Sequence, residues 1–392
     1  MLHLKGTIGA VHAGGPTNYT IRVADTVERL EELRVPWDEL AEKHSYSPFL
    51  SFDWFRTWIK HFLGGRQLLV LLLYRGENIR AIAPFLLKEE KYRGIPVKKV
   101  ELLGNVYSPM RYFLCASTEN KEREEVMSSI FRFLKEVYKQ WDIIDLQPIP
   151  EENGDFLVAS DAGRKCGFGI WEYHCFGNWY SDGIGSSSES YFSNRSKNFR
   201  AVIRKDFNKA KRQGELEFRM ITGGSLLEEH IGAYIDVYKK SWKVLEGLGF
   251  GFLEDWMRMA AQRGWLRLGV VTLDKVPMGT GFAIVHNGCA FFEKTAYDMK
   301  YQAMGPGTIW HAEMMRYLID IDGVTTVDFL RGDEDYKKRW AEKRRERKGL
   351  VIFNKNLRGN TLSALTRHVL PVVNSNRYLR MAKRVVQKHL PM

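Results

Sequence analysis

Residues 297–308 combine the residue types and the spacing of an anion-binding turn. The pattern Gln302-x-x-Gly305-x-Gly307 stands between a predicted strand and a predicted helix that opens at Thr308. Glycine lets the backbone approach a ligand closely, and the first amides of a helix lack partners and carry partial positive charge. A diphosphate is the natural occupant of such a turn. Glycines also serve turns that bind nothing, so the pattern alone leaves both interpretations open.

The elements around this turn follow one order twice: strand, two helices, three strands, helix, strand. In the first half this order runs from a strand at residues 19–24 to a buried strand at 141–146. In the second half it runs from a strand at 216–221 to a strand at 326–330. Strands joined by hairpins and then followed by a helix and a parallel strand predict a mixed α/β sheet instead of a Rossmann fold.

The predicted organisation has four parts: a domain at 18–180, a linker with a basic helix at 181–214, a domain at 215–356 and a tail at 357–392. Glycines and serines at 176–188 predict a flexible boundary, and a long helix is predicted at 189–213. At the place of the glycine turn, the first half has residues 102–110 with one glycine. This half is therefore not expected to bind a diphosphate in the same way, and is expected instead to shape the site of a second substrate. Its Trp54, Phe55 and Trp58 have the spacing of a buried helix face.

The net charge of +12 is concentrated in three segments of the chain. Residues 195–212 carry eight Lys or Arg and one Asp, and residues 337–348 carry eight Lys or Arg and two Glu. Residues 357–392 carry seven Lys or Arg and no acid. Such local charge indicates either partners bearing phosphates or solvated helix faces. In the tail, cations and apolar residues fall on separate helical faces, which is typical of a helix on a membrane surface or packed on a partner; the cations are Arg377, Arg380, Arg384 and Lys388.

The second half resembles the GNAT acyltransferase fold, whose phosphate loop reads Gln/Arg-x-x-Gly-x-Gly/Ala. Gln302, Gly305 and Gly307 match that loop position by position. More narrowly, the chain resembles the tandem GNAT-like proteins known as cellulose-biosynthesis (CelD-like) acetyltransferases, and more distantly the Fem-type aminoacyl transferases. The stretches that carry this likeness are Glu293-Lys294-x-x-Tyr297-Asp298, Pro306-Gly307 and Asp328-Phe329-Leu330-x-Gly332-Asp333-x-x-Tyr336-Lys337-x-x-Trp340.

The resemblance implies two tandem GNAT-like domains, the first degenerate, followed by the basic helical tail. It also implies direct transfer of an acyl group from acyl-CoA, most simply acetyl-CoA, to an amine of a polysaccharide or cell-envelope precursor. The residues expected to bind the donor are Gln302, Gly305, Gly307 and Thr308. An acceptor amine would attack the thioester once a carboxylate has taken its proton.

Two sets of residues are candidates for the acid and base chemistry. Glu293 and Tyr297 are four residues apart on one predicted strand, so both are expected on the same face, as base and acid. A structural ion pair is the alternative role for Glu293. The second set follows a central strand and comprises Asp333, Tyr336 and Lys337. Helix capping and a salt bridge with Lys337 are equally good roles for Asp333.

Two other functions stay open at this point. A Fem-like enzyme would take its aminoacyl group from a charged tRNA, with the basic segment 195–212 on the RNA phosphates. A non-catalytic accessory protein of polysaccharide biosynthesis would use the fold as a scaffold.

Composition excludes several further classes of protein. A hydrophobic content of 44% excludes a wholly disordered chain, and no apolar run reaches the length of a membrane span. Four separated cysteines and ten histidines show no metal-ligand spacing, so no metal site is expected. The N-terminus lacks the apolar core of a signal peptide. The expected location is the cytoplasm, with the tail as a possible contact to the inner membrane surface.

Overall fold

The structure is a computed structural model that describes residues 11–12, 19–44, 47–243 and 249–369. The strands are β1 Val11–His12, β2 Thr20–Ala24, β3 Gln67–Arg75, β4 Asn78–Tyr92, β5 Ile95–Leu102, β6 Leu114–Cys115, β7 Ile143–Pro150, β8 Gly169–Ser181, β9 Leu216–Ile221, β10 Leu266–Leu273, β11 Val276–His286, β12 Cys289–Tyr297, β13 Thr326–Arg331 and β14 Lys343–Phe353. The helices are α1 Val27–Glu31, α2 Arg34–His44, α3 Phe52–Phe62, α4 Asn120–Phe133, α5 Asp155–Lys165, α6 Ser188–Ser193, α7 Lys197–Lys211, α8 Leu227–Lys239, α9 Gly251–Gln262, α10 Pro306–Asp320, α11 Lys337–Trp340 and α12 Leu357–Ala364.

The chain divides into two compact units. Unit 1 comprises Met1–His44, Gly65–Cys175 and Arg347–Met392, and unit 2 comprises Ser45–Gly64 and Phe176–Glu346. Both β8 and β14 have residues in each unit. The domain limits predicted from the sequence divide the chain differently and stay a prediction.

Unit 1 contains a mixed sheet with the strand order β1-β2-β3-β4-β5-β7-β14, and the short β6 pairs with β4. The pairing of β5 with β7 is parallel, and the other pairs are antiparallel. Alternate residues of β3 and β4 bury their side chains against α4 and α5, as the period of a strand requires. The predicted first strand, three hairpin-linked strands, helix and last strand are confirmed here as β2, β3–β5, α4 and β7, whereas the two helices after β2 in this unit are α1 and α2.

Unit 2 repeats that order, and its strands follow one another in the sheet as β8-β13-β12-β11-β10-β9. β12 and β13 are parallel, and the remaining pairs are antiparallel. Successive residues of β12 show the two layers of helices that cover this sheet. Phe291 packs on Phe49, which in turn contacts Trp256 of α9, whereas Phe292 packs on Trp310 of α10. The mixed α/β fold predicted from the sequence is confirmed.

Helix α3 shows where local sequence was misleading. It was expected as the second helix of the first half, but residues 45–64 belong to unit 2. Trp54 packs edge-on against Phe252 of α9, and the Asp53 carboxylate pairs with Arg263 at 2.6 Å. The predicted burial of Trp54, Phe55 and Trp58 is confirmed. Their apolar face finds its partner in α9, which is distant in sequence.

Two predicted elements around residues 176–213 need correction. The expected flexible boundary at 176–188 is ordered as β8 up to Ser181, because Asn178 is buried and hydrogen-bonds to β13. The single long helix expected at 189–213 is two helices. The hydroxyl of Ser196 accepts the amide of Phe199 and so caps a new start for α7.

Candidate active site

A gap between β12 and β13 is the main irregularity of the unit 2 sheet. The two strands pair in parallel from Cys289 opposite Thr326 to Phe291 opposite Asp328, and the described ladder between them ends there. β12 nevertheless continues to Tyr297, and β13 to Arg331. A strand edge without a neighbour presents amides and carbonyls to any extended chain that enters.

Two bulges turn the strands apart. In β12 the register against β11 shifts between Phe292 and Thr295, so this strand has one residue more than its partner. In β13 the register against β8 shifts between Asp328 and Arg331, and Leu330 has a φ of 54°. A leucine in the left-handed region needs support from its surroundings.

The buried Asp328 supplies that support. One of its carboxylate oxygens accepts the amide of Leu330 at 2.7 Å and the side-chain amide of Asn178 at 2.6 Å. Asn178 also donates to the carbonyl of Leu330 at 2.9 Å, and Arg345 pairs with the other oxygen of Asp328. Asp328 therefore holds the bulge that opens the gap.

The predicted glycine turn lies at the start of α10. Gly305 has a φ of 67°, and the helix begins at Pro306. The amide of Gly305 donates to the carbonyl of Gln302, and the amides of Thr308 and Ile309 donate to the carbonyl of Gly305. Because proline has no amide hydrogen, Gly307 is the residue in this turn whose amide is left to meet a ligand. The turn thus offers fewer donors than the spacing of its glycines suggested.

Asp206 of α7 lies against this turn. A Cβ atom added to Gly305 would overlap its carboxylate, and the hydroxyl of Thr308 donates to it. Desolvation raises the pKa of Asp206, although Thr308 and the neighbouring lysines act in the opposite direction. A carboxylate belonging to the chain therefore already provides negative charge at the N-terminus of α10.

A cavity of about 470 Å³ opens beside the gap and the turn. Every residue that lines it belongs to unit 2. The lining residues are Trp242, Lys243, Thr280, Thr295, Ala296, Tyr297, Gln302, Gly305, Pro306, Gly307, Thr308, Trp310, His311, Glu334, Tyr336 and Trp340. The cavity thus brings together the four residues predicted to bind the donor and two of the predicted catalytic residues, Tyr297 and Tyr336.

The two tyrosines are placed to act as hydrogen-bond donors. Burial raises the pKa of Tyr297, whose ring lies 4.3 Å from that of Trp242. Desolvation and the Glu334 carboxylate raise the pKa of Tyr336. Both hydroxyls therefore keep their protons at neutral pH.

Glu293 does not share a face with Tyr297, so that expectation was wrong. The carboxylate of Glu293 accepts a hydrogen bond from Trp256 of α9, whereas the ring of Tyr297 lies beside Gly307 of α10. The bulge in β12 falls between Glu293 and Tyr297 and inverts the alternation of side chains. The two residues therefore face opposite layers of helices.

The surroundings of Glu293 suit a base. Desolvation raises its pKa to about 7, against the opposing effects of the Lys294 cation and the hydrogen bond from Trp256. Its Oε1 atom is buried and has no hydrogen-bond partner among the described residues. A carboxylate with this pKa is part ionised at neutral pH and can accept a proton.

Asp333 and Lys337 lie outside the cavity lining. Asp333 pairs with Arg344 through both oxygens, at 2.7 and 2.8 Å, and accepts a hydrogen bond from Trp179. The bonds from Arg344 hold the pKa of Asp333 at about 2. The expected salt bridge between Asp333 and Lys337 is replaced by one between Lys337 and Glu334 at 2.9 Å. Burial lowers the pKa of Lys337, which also donates to the carbonyl of Arg331.

His311, Lys243 and Glu334 line the cavity but were missed from the sequence. Nδ1 of His311 lies 2.7 Å from the carbonyl of Gly307, so this nitrogen carries the proton. Burial lowers the pKa of His311 to about 4, which leaves the ring neutral. The one local signal was its spacing of four residues after Gly307, which places it one helical turn behind the predicted anion site.

The site fits one part of acyl-CoA and not another. The open edge of β12, the cavity and Gly307, whose added Cβ would only touch Tyr297 at 3.5 Å, fit the amide-containing pantetheine chain. The glycine turn fits a diphosphate poorly, because Pro306 lacks an amide and Asp206 holds the place of an anion. The acyl end of the donor is therefore accommodated, and its diphosphate is not.

The described residues contain no cluster of three or more His, Cys, Asp or Glu side chains placed to hold a metal ion. Within the same residues, no helix has the length and apolarity needed to cross a membrane. The predicted amphipathic helix with Arg377, Arg380, Arg384 and Lys388 lies outside the described residues.

The chain was compared with family models, with curated proteins and with solved structures. Residues 197–338 match the family model of the acetyltransferase (GNAT) domain, whereas no curated protein matches the chain. The matched stretch contains α7, the gap, the glycine turn and every cavity-lining residue except Trp340.

Solved structures resemble the chain in fold at low sequence identity. The crystal structure of FemX is 12% identical with a TM-score of 0.57, over 85% of this chain and 98% of that one. The C-terminal domain (DUF2156) of a putative lysylphosphatidylglycerol synthetase from Agrobacterium fabrum is 10% identical with a TM-score of 0.51, over 86% and 97%. A tandem GNAT protein from the clavulanic acid pathway is 8% identical with a TM-score of 0.47, over 85% and 98%. Residues 197–338 thus match the acetyltransferase (GNAT) domain, and the chain has a mixed α/β fold.

Proposed function

We propose that unit 2 is an N-acyltransferase that takes an acyl group from a thioester such as acyl-CoA and transfers it to an amine. The observation that carries this proposal is the gap between β12 and β13, which has a cavity on one face and the Glu293 carboxylate on the other. A thioester in the gap is within reach of both faces of the sheet. The GNAT domain at residues 197–338 supports acyl transfer in general.

The reaction follows from the groups on either side of the gap. Glu293, directly or through a water molecule, takes a proton from the acceptor ammonium. The amine nitrogen then forms a bond to the thioester carbon, and backbone amides of β12 stabilise the oxyanion. The C–S bond breaks as the amide forms, the nitrogen gives its second proton to water, and the sulfur takes a proton from a tyrosine or from water. Because Tyr297 and Tyr336 have raised pKa values, we expect them mainly to hydrogen-bond the leaving sulfur.

The acceptor comes from the resemblance and stays a proposal: an amine of a polysaccharide or cell-envelope precursor. A contact of the tail with the inner membrane surface and a cytoplasmic location likewise stay proposals. The narrower kinship with cellulose-biosynthesis acetyltransferases belongs with them.

An assay of thiol release tests the proposal. The protein is incubated with acetyl-CoA or acetyl-N-acetylcysteamine and a panel of amino sugars and peptides, and the acetylated amine is identified by mass spectrometry. We expect amine-dependent thiol release, and a fall in kcat of about 10²-fold or more for Glu293→Gln with little change in KM for the thioester. Glu215→Gln, a change at an exposed carboxylate, is the matched control. Absence of thiol release from every thioester would refute acyl transfer from thioesters.

A Fem-like transfer from aminoacyl-tRNA is the second candidate, favoured by Asp206 at the glycine turn. A donor attached to RNA places no diphosphate of CoA on this turn. Transfer of a radiolabelled aminoacyl group from charged tRNA, with binding that weakens steeply as salt rises, would support this candidate over the first.

A further inference from the structure

Two of the three basic segments, residues 195–212 and 337–348, lie wholly within the described residues, and they differ in whether their charges are paired. In residues 337–348, three of the four arginines pair with acids of the same chain: Arg344 with Asp333, Arg345 with Asp328 and Arg347 with Glu152. On α7, by contrast, Lys197, Arg200, Arg204 and Lys211 are exposed and have no ion pair among the described residues. Four exposed cations without an ion pair among the described residues therefore lie together on α7.

These cations act against the helix that carries them. Lys197 and Arg200 lie in the first turn, where the helix dipole is already positive and no acid is present. Arg200 and Arg204 are four residues apart, a spacing at which like charges repel. A binding partner with negative charge would remove both unfavourable terms.

The surface beside them is concave and partly apolar. A groove of about 640 Å³ runs between α6, α7 and α10. Arg200, Arg204 and Lys211 of α7 line it, and Glu189 and the Glu313–Arg316 pair complete its charged lining, so cations outnumber acids. Ile203 is buried in this lining, and the side chain of Phe207 is half-buried. A groove with an apolar floor and a basic rim fits the acidic, amphipathic helix of a protein better than it fits a flat membrane or a bare phosphate chain.

The groove and the glycine turn share α7. Asp206 lies against Gly305, and Lys209 of the next turn donates to the carbonyl of Ala303 at 2.7 Å. A partner seated in the groove is therefore bound to the helix that contacts the glycine turn, and this turn lines the cavity. At the turn Asp206 opposes a diphosphate but leaves the edge of β12 open.

We propose that the acyl donor is a thioester on the phosphopantetheine arm of an acidic carrier protein, which docks its acidic helix in the α6–α7–α10 groove. Such an arm has the pantetheine amides of CoA, but its phosphate is a single diester to the carrier and no diphosphate is present. The proposal rests on thioester-dependent acyl transfer and names the donor for that same site.

Binding measurements with the full chain test the docking. The probe is an acidic acyl carrier protein whose arm carries an uncleavable thioether analogue of the acetyl thioester. The comparison probes are the same carrier without its arm and the corresponding thioether analogue of acetyl-CoA. We expect the loaded carrier to bind about tenfold or more tightly than either comparison probe, and to weaken between about 0.05 and 0.2 M salt.

Charge reversal on α7 provides the specific readout. Arg200→Glu with Arg204→Glu should weaken carrier binding by about tenfold or more, while binding of the CoA analogue changes by less than about twofold. Arg200→Gln with Arg204→Gln is the milder variant should the reversed charges impair folding. Lys43→Glu with Lys91→Glu, at exposed lysines in unit 1, is the matched control and should bind like the unchanged protein.

The outcomes separate this proposal from the proposed function. Equal or tighter binding of the CoA analogue, or carrier binding indifferent to both α7 variants, overturns the carrier proposal even if thiol release from small thioesters is observed. Tighter binding of a single-stranded RNA oligonucleotide than of the loaded carrier also overturns it. Absence of thiol release from every thioester, the carrier included, removes the proposed function instead.

Discussion

Replacing Glu293 by glutamine tests whether desolvation raises the pKa of this carboxylate in β12. The pKa of about 7 lies about 2.5 units above the ordinary value of 4.5. At 1.36 kcal/mol per unit, the ionised carboxylate costs the folded state about 3 kcal/mol. Glutamine has nearly the same shape and cannot ionise, so it removes this cost.

The sign of the effect follows from proton linkage. Because the folded state holds the proton more tightly, the unchanged protein loses stability as the pH rises from about 4.5 to about 7. Below that window Glu293 is protonated in both states and the cost is absent. The difference in unfolding free energy between Glu293→Gln and the unchanged protein should therefore grow by about 3 kcal/mol between about pH 4.5 and pH 8. The new amide adds an offset that does not depend on pH.

Urea unfolding, read by hydrogen exchange in peptides from β12 and β13, reports on unit 2 alone. Glu215→Gln, at an exposed carboxylate in the same unit, should show a difference that stays flat with pH. A flat difference for Glu293→Gln as well would refute the placement of Glu293 in a desolvated site. A difference that grows toward acid pH would mean that an ion pair stabilises the carboxylate.

Three further variants probe the donor side. Asp206→Asn removes a carboxylate that repels a diphosphate by up to about 4 kcal/mol at 4 Å. Calorimetry should therefore show acetyl-CoA binding about tenfold or more tightly to this variant, while the affinity for acetyl-N-acetylcysteamine stays unchanged. Equal effects on both ligands would contradict the position of Asp206 at the turn. Gly307→Val extends from a Cβ that already touches Tyr297 at 3.5 Å, so it should weaken thioester binding with little loss of thermal stability; unaltered binding would place the donor elsewhere. Asp328→Ala removes the buried carboxylate that pairs with Arg345, so the free energy of unfolding in urea should fall by about 3–5 kcal/mol. The amide of Leu330 should also exchange its hydrogen faster. A loss below about 1 kcal/mol would mean that the β13 bulge does not depend on this carboxylate.

The order of elements and the glycine turn were predictable because both are local properties of the chain. Strand and helix periods follow from neighbouring residues, and a positive φ at residue 305 calls for glycine whatever surrounds it. The candidate donor-binding residues 302–308 were therefore found together in the sequence and lie together at the cavity.

Pairing across the sheet was not predictable in the same way. The positions of Glu293 and Tyr297 were counted along an ideal strand, but a single extra residue in β12 reversed their relation. Whether a strand bulges depends on the register of its partner, which no local pattern encodes. For the same reason the ion pairs of Asp333 and Lys337 were assigned to each other instead of to Arg344 and Glu334.

The sequence by itself determined the mixed α/β class, the repeated order of elements and the turn at the start of α10, because each depends on residues close together in the chain. The tertiary structure decided the character of the site. It brought Asp206 from α7 to Gly305, buried the ring of His311, and placed Glu293 against Trp256. Desolvation and electrostatic contact depend on distance in space, so residues far apart in the chain set the charge and the pKa values at this site.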